Sequence, residues 1–417
     1  MKHYTKERHI MRFTSLFPAL AYPNYRLFWS MQWIALIGFW VQLTAQQWLV
    51  YEMTGSAFKL GLLSAMQFTP SMLLSLFLGF WIDRHSKRKI LAGTQFFYML
   101  QALFLAILLW CGAANYYWLL FFAVFLGTID AIDMPTRLSF LPLLVEKKHL
   151  HSAMALNSAN FNITRMAGPL LAAVLLAHMD YGMAFFVNAV SLLPIFIMYL
   201  RLRVEEPVHT DTRKNAREEI RDGFLQAKNN PLVMGNLCML AIVSSLIMNF
   251  GTYGPLFSDT ILHRGVDGFG TILFAIGCGS LTSGLLSAAG RKRTDRRLLF
   301  FFAVSTGILL TLLSRTSSFW LSMVLFAALG FFIILFLINC NTSIQLATDP
   351  AYLGRIMSLY TFVFLGSAPF GSLLVSSIIE AIGTADGLLV IGLLEILLLS
   401  VAALKYRKTE SVLQESK

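Results

Sequence analysis

The sequence predicts an all-α membrane protein with 12 transmembrane helices in two six-helix pseudo-repeat bundles, and three observations predict it. Of 417 residues, 57% are hydrophobic and only 13% charged, whereas soluble domains carry about a quarter charged residues. Apolar runs long enough to cross a hydrocarbon core, about 20 residues each, recur along the whole chain. The cations are sorted: roughly 28 of the 33 Lys and Arg fall in connections that share one side of the membrane, against about three on the other. That sorting accounts for the net charge of +11 as topology and argues against nucleic acid as a partner.

Residues 1–26 carry Lys2, Lys6, Arg8 and Arg12 with no cleavable small-residue site behind a short apolar core, so a cytoplasmic N-terminal segment without a secretory signal is expected. Apolar runs follow at about 27–51, 59–82, 90–113, 117–141, 153–177 and 183–200. Six crossings make residues 27–200 an N-terminal bundle and return the chain to its starting side. Residues 201–230, with Arg201, Arg203, Glu205, Glu206 and nine further charges, form a cytoplasmic linker. Arg217 to Lys228 is patterned as a short amphipathic helix with Ile220, Phe224 and Leu225 on its apolar face. Runs at about 232–258, 268–289, 298–314, 319–345, 356–380 and 387–404 make residues 231–405 a C-terminal bundle, and 406–417 a cytoplasmic tail. Both termini are therefore expected inside, in an inner (plasma) membrane surrounded by lipid.

The halves echo one another. Arg291, Lys292, Arg293, Arg296 and Arg297 follow the eighth span as Arg84 to Lys89 follow the second. Gly168-Pro169 and Ala368-Pro369 lie 200 positions apart, as do Ser158 and Ser358; such an internal repeat is common in secondary transporters.

At the end of the second span, Gly79 is followed by Asp83, Arg84, Ser86, Arg88 and Lys89. The cations alone would serve as a membrane anchor, so the added carboxylate points to an ion pair or a bond to a facing helix N-terminus. Gly79 permits close approach of a neighbour. A latch at the cytoplasmic end is the functional reading; a snorkelling basic boundary with an incidental acid is the bland one.

The fourth span holds Asp130, Asp133 and Arg137 in a stretch otherwise fit for lipid. At 100° per residue, Asp130 and Arg137 lie about 20° apart and Asp133 about 40° from Arg137, so the three share one face. Each charge at mid-membrane costs at least ~2.5 kcal/mol, so that face must look inward. Arg165 of the fifth span lies about 20 Å from the cytoplasmic side and Asp130 about 15 Å. This makes Asp130 the nearest acid in depth, either as a buried structural pair or as a proton-coupling pair whose acid titrates when the arginine moves. Asp133 is a further coupling candidate, although its place nearer Asp83 also suits a latch with Arg137.

The spacing from Gly79 to Lys89 resembles the signature loop of the major facilitator superfamily, with Ser86 where a glycine is usual. Asp133-x-Pro135-x-Arg137, Leu141 to Val145, Ala155 to Ser158, Asn162 to Arg165 with Gly168-Pro169, Asn341 to Gln345, and Gly354 to Tyr360 narrow the resemblance. Together they are similar to the enterobactin-exporter-like branch, the transmembrane secretion effectors, over nearly the whole chain. The resemblance implies a major facilitator fold and an alternating-access exporter driven by the proton gradient, commonly for siderophores or amphipathic drugs. It also implies that the first, fourth, seventh and tenth helices line the path. Gly168-Pro169 resembles the antiporter signature, while Thr164 and Ala172-Ala173 depart from it.

Candidate cavity groups are Gln42 and Gln46 on the first span, Asn249 and Tyr253 on the seventh, and Asn341 and Gln345 on the tenth, each pair at i and i+4. Phe39, Trp40, Trp48 and Phe364 offer ring walls for a flat ligand. Glu395 sits midway along the last span without an evident role beyond a hydrogen bond to a neighbouring helix. Cys111, Cys238, Cys278 and Cys340 stand singly, and His85, His149, His151, His178 and His263 form no matched ligand pair, so neither metal nor cofactor is expected. The expected function is proton-coupled export of a small amphipathic molecule by a monomer. Import of a siderophore or nutrient on the same fold is the alternative, and a membrane receptor or enzyme the remote one: no nucleophile and base pair is present, and linker and tails are short.

Overall fold

A computed structural model describes the backbone of residues 17–204, 206, 224–289, 296–349 and 352–415; the side chains of 75–77, 79, 80, 83, 288, 289 and 406–415 lie outside the description. The helices are α1 (Pro23–Thr54), α2 (Ala57–Arg84), α3 (Lys87–Trp110), α4 (Tyr116–Phe140), α5 (Leu150–His178) and α6 (Tyr181–Arg201) in the first half. The second half has α7a (Pro231–Leu246) and α7b (Phe250–Thr260), then α8 (Gly265–Ala289), α9 (Arg296–Leu313), α10 (Phe319–Leu346), α11 (Leu353–Ile382) and α12 (Thr384–Glu415). Among the described residues, 11 segments are long and apolar enough to cross a membrane, with the two parts of α7 counted as one. The 28-residue α2 is the twelfth by position.

Short polar connections set the helix starts. Ser56, Ser86, Asn115, Asp180 and Asn230 each turn a side-chain oxygen onto backbone N–H groups of the first turn of α2, α3, α4, α6 and α7a. Those N–H groups have no partner within the helix. Gly55 closes α1 in the left-handed region (φ 59°), which a side chain would strain.

Three boundaries differ from expectation. The first helix begins at Pro23 rather than 27, because proline suits the first helical position and Pro18–Ala21 forms a separate turn docked on α5 through Ser152. The last helix runs through the predicted tail to Glu415. The seventh span is broken rather than continuous. Pro255 cannot donate to the carbonyl four residues back, and Gly251 and Gly254 weaken the same turn, so residues 247–249 leave the helix. Asn249 Nδ2 donates to the Ser245 carbonyl at 2.7 Å and the Tyr253 hydroxyl to the Ile247 carbonyl at 2.9 Å, satisfying groups that the break releases. Of the predicted linker helix, only 224–229 is described and is helical, with Phe224 and Leu225 exposed; residues 207–223, including Ile220, lie outside the description.

Inside each half, small residues bring helices to backbone contact. Ser71 Oγ donates to the Gly127 carbonyl at 2.9 Å, and a Cβ at 127 would collide with the Gln67 carbonyl oxygen. A backbone oxygen cannot rotate away, so Gly127→Ala is expected to lower stability by about 1–3 kcal/mol or more, read as a fall of several degrees in Tm in detergent. Glu395 is fully buried and accepts from Thr306 Oγ1 at 2.8 Å, which ties α12 to α9. Gly307 and Gly392 allow that approach; a Cβ on Gly307 would lie 2.7 Å from Glu395 Oε2. The two halves meet through α2 against α11 and α5 against α8.

Candidate functional site

A cavity of about 250 Å³ lies between the halves at mid-height, with walls from α1, α2, α5, both parts of α7, α8 and α11. The broken backbone of α7 forms one wall, where Met248, Asn249 and Phe250 face the space. Irregular backbone at membrane depth is tolerated in such a place because a cavity, not lipid, receives it. Arg165 and Pro169 enter from α5, Trp40, Thr44 and Gln47 from α1, Phe68 from α2, and Phe364 from α11. Among the described residues the expected α4 and α10 contribute none to the lining.

Of the predicted cavity groups, Asn249 is in place. On α1 the lining positions 40, 44 and 47 cluster on one face, while Gln42 and Gln46 lie about 200° and 240° away from Trp40 on the helix wheel. Gln42 is instead buried inside the first half, where its Nε2 donates to Gln101 at 3.0 Å and its Oε1 accepts from Asn188 at 2.7 Å. Gln46 Nε2 reaches the Leu119 carbonyl at 3.5 Å. Tyr253 is fully buried behind the break it caps. Asn341 accepts from Gln345 Nε2 at 2.6 Å near the end of α10, away from the cavity lining. Of the expected ring walls, Trp40 and Phe364 line the cavity, whereas Trp48 stacks on Phe269 across the halves above it, ring centroids 6.3 Å apart.

The expected Asp130–Arg165 pair does not form in this conformation. The three ionisable groups of α4 do share a face, but it looks at α3. Asp133 is fully buried and receives Thr94 Oγ1 at 2.7 Å, Gln95 Nε2 at 2.9 Å and Arg137 Nε at 3.0 Å, with a second contact from the Arg137 guanidinium. Among the described residues Asp130 receives only the Tyr98 hydroxyl, at 2.5 Å. Thus the one arginine of the cluster is committed to Asp133, and Asp130 has a neutral partner. Arg165 makes no ion pair or hydrogen bond among the described residues, and no carboxylate lines its cavity.

The two ends of the cavity differ. At the end opposite the basic loops, Tyr51 Oη donates to Asp259 Oδ2 at 2.7 Å, bridging α1 and α7b. Glu380 of α11 accepts from Ser56 Oγ at 3.0 Å and from the Phe58 backbone N–H at 3.2 Å, a carboxylate at the N-terminus of α2. Along one face of α8, Gly270 is pressed by α5, with an added Cβ 2.8 Å from the Pro169 carbonyl oxygen. Gly277, one heptad on, would place it 2.8 Å from Met166 Cβ, but Gly284, a further heptad toward the basic end, meets nothing within 4 Å among the described residues. Along α5 and α8 the halves therefore touch at the far end and separate toward the basic end among the described residues.

At that basic end some members of the predicted latch have described partners. Arg88 donates to the carbonyls of Leu202 (2.8 Å) and Leu200 (3.3 Å) at the end of α6. Glu206 of the linker accepts from Ser86 Oγ and from the backbone of Lys87 and Arg88, filling the N-terminus of α3. Lys89 is exposed and its backbone N–H caps onto Ser86; Arg84 ends α2. The Asp83 side chain and the surroundings of Gly79 lie outside the description, as do Arg291 to Arg293. Glu206, Tyr98, Gln47, Asp259 and Glu380 are the residues that sequence reasoning did not assign to gates or cavity. For Gln47 the i, i+3, i+4, i+7 spacing with Trp40, Leu43 and Thr44 is a usable signal; for the others the contacts are between distant segments.

Comparison with known proteins agrees with this architecture. The macrolide efflux protein A of Streptococcus pyogenes is 24% identical over 388 residues, covering 89% of this chain and 94% of that protein. The staphyloferrin A transporter of Staphylococcus aureus is 23% identical over 405 residues, covering 94% and 98%. A bacterial homologue of the human lysosomal transporter Spinster, solved inward-facing and unoccupied, superposes with a TM-score of 0.68 over 93% of this chain and 96% of that one at 17% identity, which speaks to the fold. The family model described as transmembrane secretion effector matches residues 14–417. With the fold, the cavity between the halves and the match over residues 14–417 in agreement, the chain belongs to the transmembrane secretion effectors of the major facilitator superfamily, a membrane transporter and not an enzyme.

Proposed function

We propose that this transporter is a proton-coupled exporter of a small amphipathic molecule, of siderophore or drug type, working by alternating access as a monomer with both termini on the cytoplasmic side. The observation that carries the reading is the cavity between the halves, tied shut at the far end by Tyr51–Asp259 and Ser56–Glu380 while the helices diverge toward the basic end. If the basic loops are cytoplasmic, this is the loading state of an exporter. The full-length relatives named for macrolide efflux and staphyloferrin A favour an amphipathic cargo. The site lies within one chain, so one copy supplies the whole path.

Proton coupling is assigned to Asp130. Asp133 already balances Arg137 and gains nothing from a proton, whereas Asp130, held only by a hydroxyl, can exchange its charge with the conformation of α3 and α4. The test is solute uptake into everted and right-side-out membrane vesicles under an imposed pH gradient. Export predicts accumulation in everted vesicles with an acidic lumen and its collapse by a protonophore. Accumulation confined to right-side-out vesicles would make the protein an importer, and uptake indifferent to the gradient would remove the coupling.

A further inference from the structure

We infer that Arg165 receives an anionic group of the transported molecule, so that the cavity selects amphipathic anions carrying a flat ring over neutral or cationic analogues of the same shape. This rests on the transporter reading and narrows its substrate class.

The argument begins with charge. Arg165 is a permanent cation about 15 residues, roughly 23 Å, along α5 from the basic end. A cation at this depth is tolerated when an acid, a carbonyl or a ligand receives it. Among the described residues, the acids of α4 and of the far end are occupied elsewhere: Asp130 and Asp133 face α3, while Asp259 and Glu380 hold the far-end ties. Among the described residues no Asp or Glu lines the cavity, and the uncharged polar groups of the lining, Thr44, Gln47 and Asn249 among them, leave the positive charge uncompensated.

Chemistry then fixes the ligand class. A planar guanidinium with five donors matches a carboxylate or sulfonate oxygen pair, and it repels a ligand cation in the same small space. Trp40, Phe68, Phe250 and Phe364 line the same cavity and give the apolar remainder of such a ligand rings to pack against. A volume of about 250 Å³ is a little below the roughly 300–1,000 Å³ typical of sites for drug-sized ligands, so the enclosed part suits one charged ring system, with any bulkier portion extending toward the open end.

The probes are naphthalene-2-sulfonate, naphthalene-2-sulfonamide and N,N,N-trimethylnaphthalen-2-aminium, one ring bearing a tetrahedral head group of three different charges, titrated calorimetrically into the full-length protein in lipid nanodiscs. The wild type is expected to bind the sulfonate at least about tenfold tighter than the sulfonamide. Arg165→Gln should bring the two within about twofold, and Arg165→Lys should keep part of the preference, as a charge without the fork. Because Arg165 has no protein partner among the described residues, Arg165→Gln is expected to melt no lower than wild type; a structural ion pair would predict a fall. Equal binding of the three probes, preference for the cation, no sulfonate binding at millimolar concentration, or a preference that survives Arg165→Gln would each overturn the assignment. Transport in the vesicle assay separates this from the broader reading. Arg165-dependent sulfonate binding with no solute movement in either vesicle orientation sinks the transporter reading alone, while movement without the sulfonate preference sinks this inference alone.

Discussion

Asp130→Asn should abolish gradient-driven transport, by at least about tenfold in rate or about 1.4 kcal/mol, while leaving a folded protein that still exchanges substrate across the membrane without a gradient. Asparagine has the shape of the protonated acid and keeps an oxygen to accept from Tyr98, so the contact at 2.5 Å survives in kind. What it loses is the ability to give the proton up. The neighbouring Asp133→Asn should behave oppositely. It would strand Arg137 without its carboxylate and weaken the set formed with Thr94 and Gln95, a loss of about 3–5 kcal/mol for a broken buried pair, visible as poor yield or a lowered Tm. Exchange and gradient-driven uptake measured on the same vesicles distinguish the two. Unchanged gradient-driven uptake in Asp130→Asn removes this residue from coupling, and a stable, fully active Asp133→Asn contradicts the assignment of Asp133 to structure.

The fold was legible because bilayer thickness and cation sorting act on every span alike, so the count of twelve crossings needs no knowledge of what touches what. The shared face of Asp130, Asp133 and Arg137 was legible for the same reason: helical periodicity fixes it locally. Which neighbour that face meets is a tertiary matter. Depth counting put Asp130 near Arg165 in height, but the two point to different sides of the bundle, one toward α3 and the other into the cavity. Gln42 and Gln46 illustrate the same limit. Their i, i+4 spacing established a common polar face, and inside a membrane bundle such a face can be satisfied by another helix, here through Gln101, Asn188 and Leu119, as well as by a cavity. The break in α7 did leave a mark in Gly251, Gly254 and Pro255, yet hydropathy reads the span as continuous because Met248 and Phe250 are as apolar as their helical neighbours.

Glycines at the seam between halves give the most direct handle on alternation. Gly61 of α2 sits against α11 so closely that an added Cβ would lie 2.5 Å from the Ser372 carbonyl oxygen, and Gly270 of α8 likewise meets the Pro169 carbonyl of α5 at 2.8 Å. Neither oxygen can move without its helix. Gly61→Val or Gly270→Val should therefore wedge the far end apart. An overpacking cost of about 1–3 kcal/mol borne by the closed far end shifts the equilibrium roughly five- to 150-fold toward the state open there. Gly284 supplies the opposite case. It lies on the same face of α8 where α5 has separated, so an added Cβ meets no described atom within 4 Å in this conformation and valine there is expected to obstruct the closing of the basic end. A cysteine introduced as Ser64→Cys in the cavity wall, in a background freed of the four native cysteines, reports both. Labelling by a membrane-impermeant thiol reagent from the far side should rise in Gly61→Val and Gly270→Val and fall in Gly284→Val, with transport lost in all three because each traps one half of the cycle. Identical labelling in the three variants would mean that these seams do not open, and that the halves do not rock about the cavity between them.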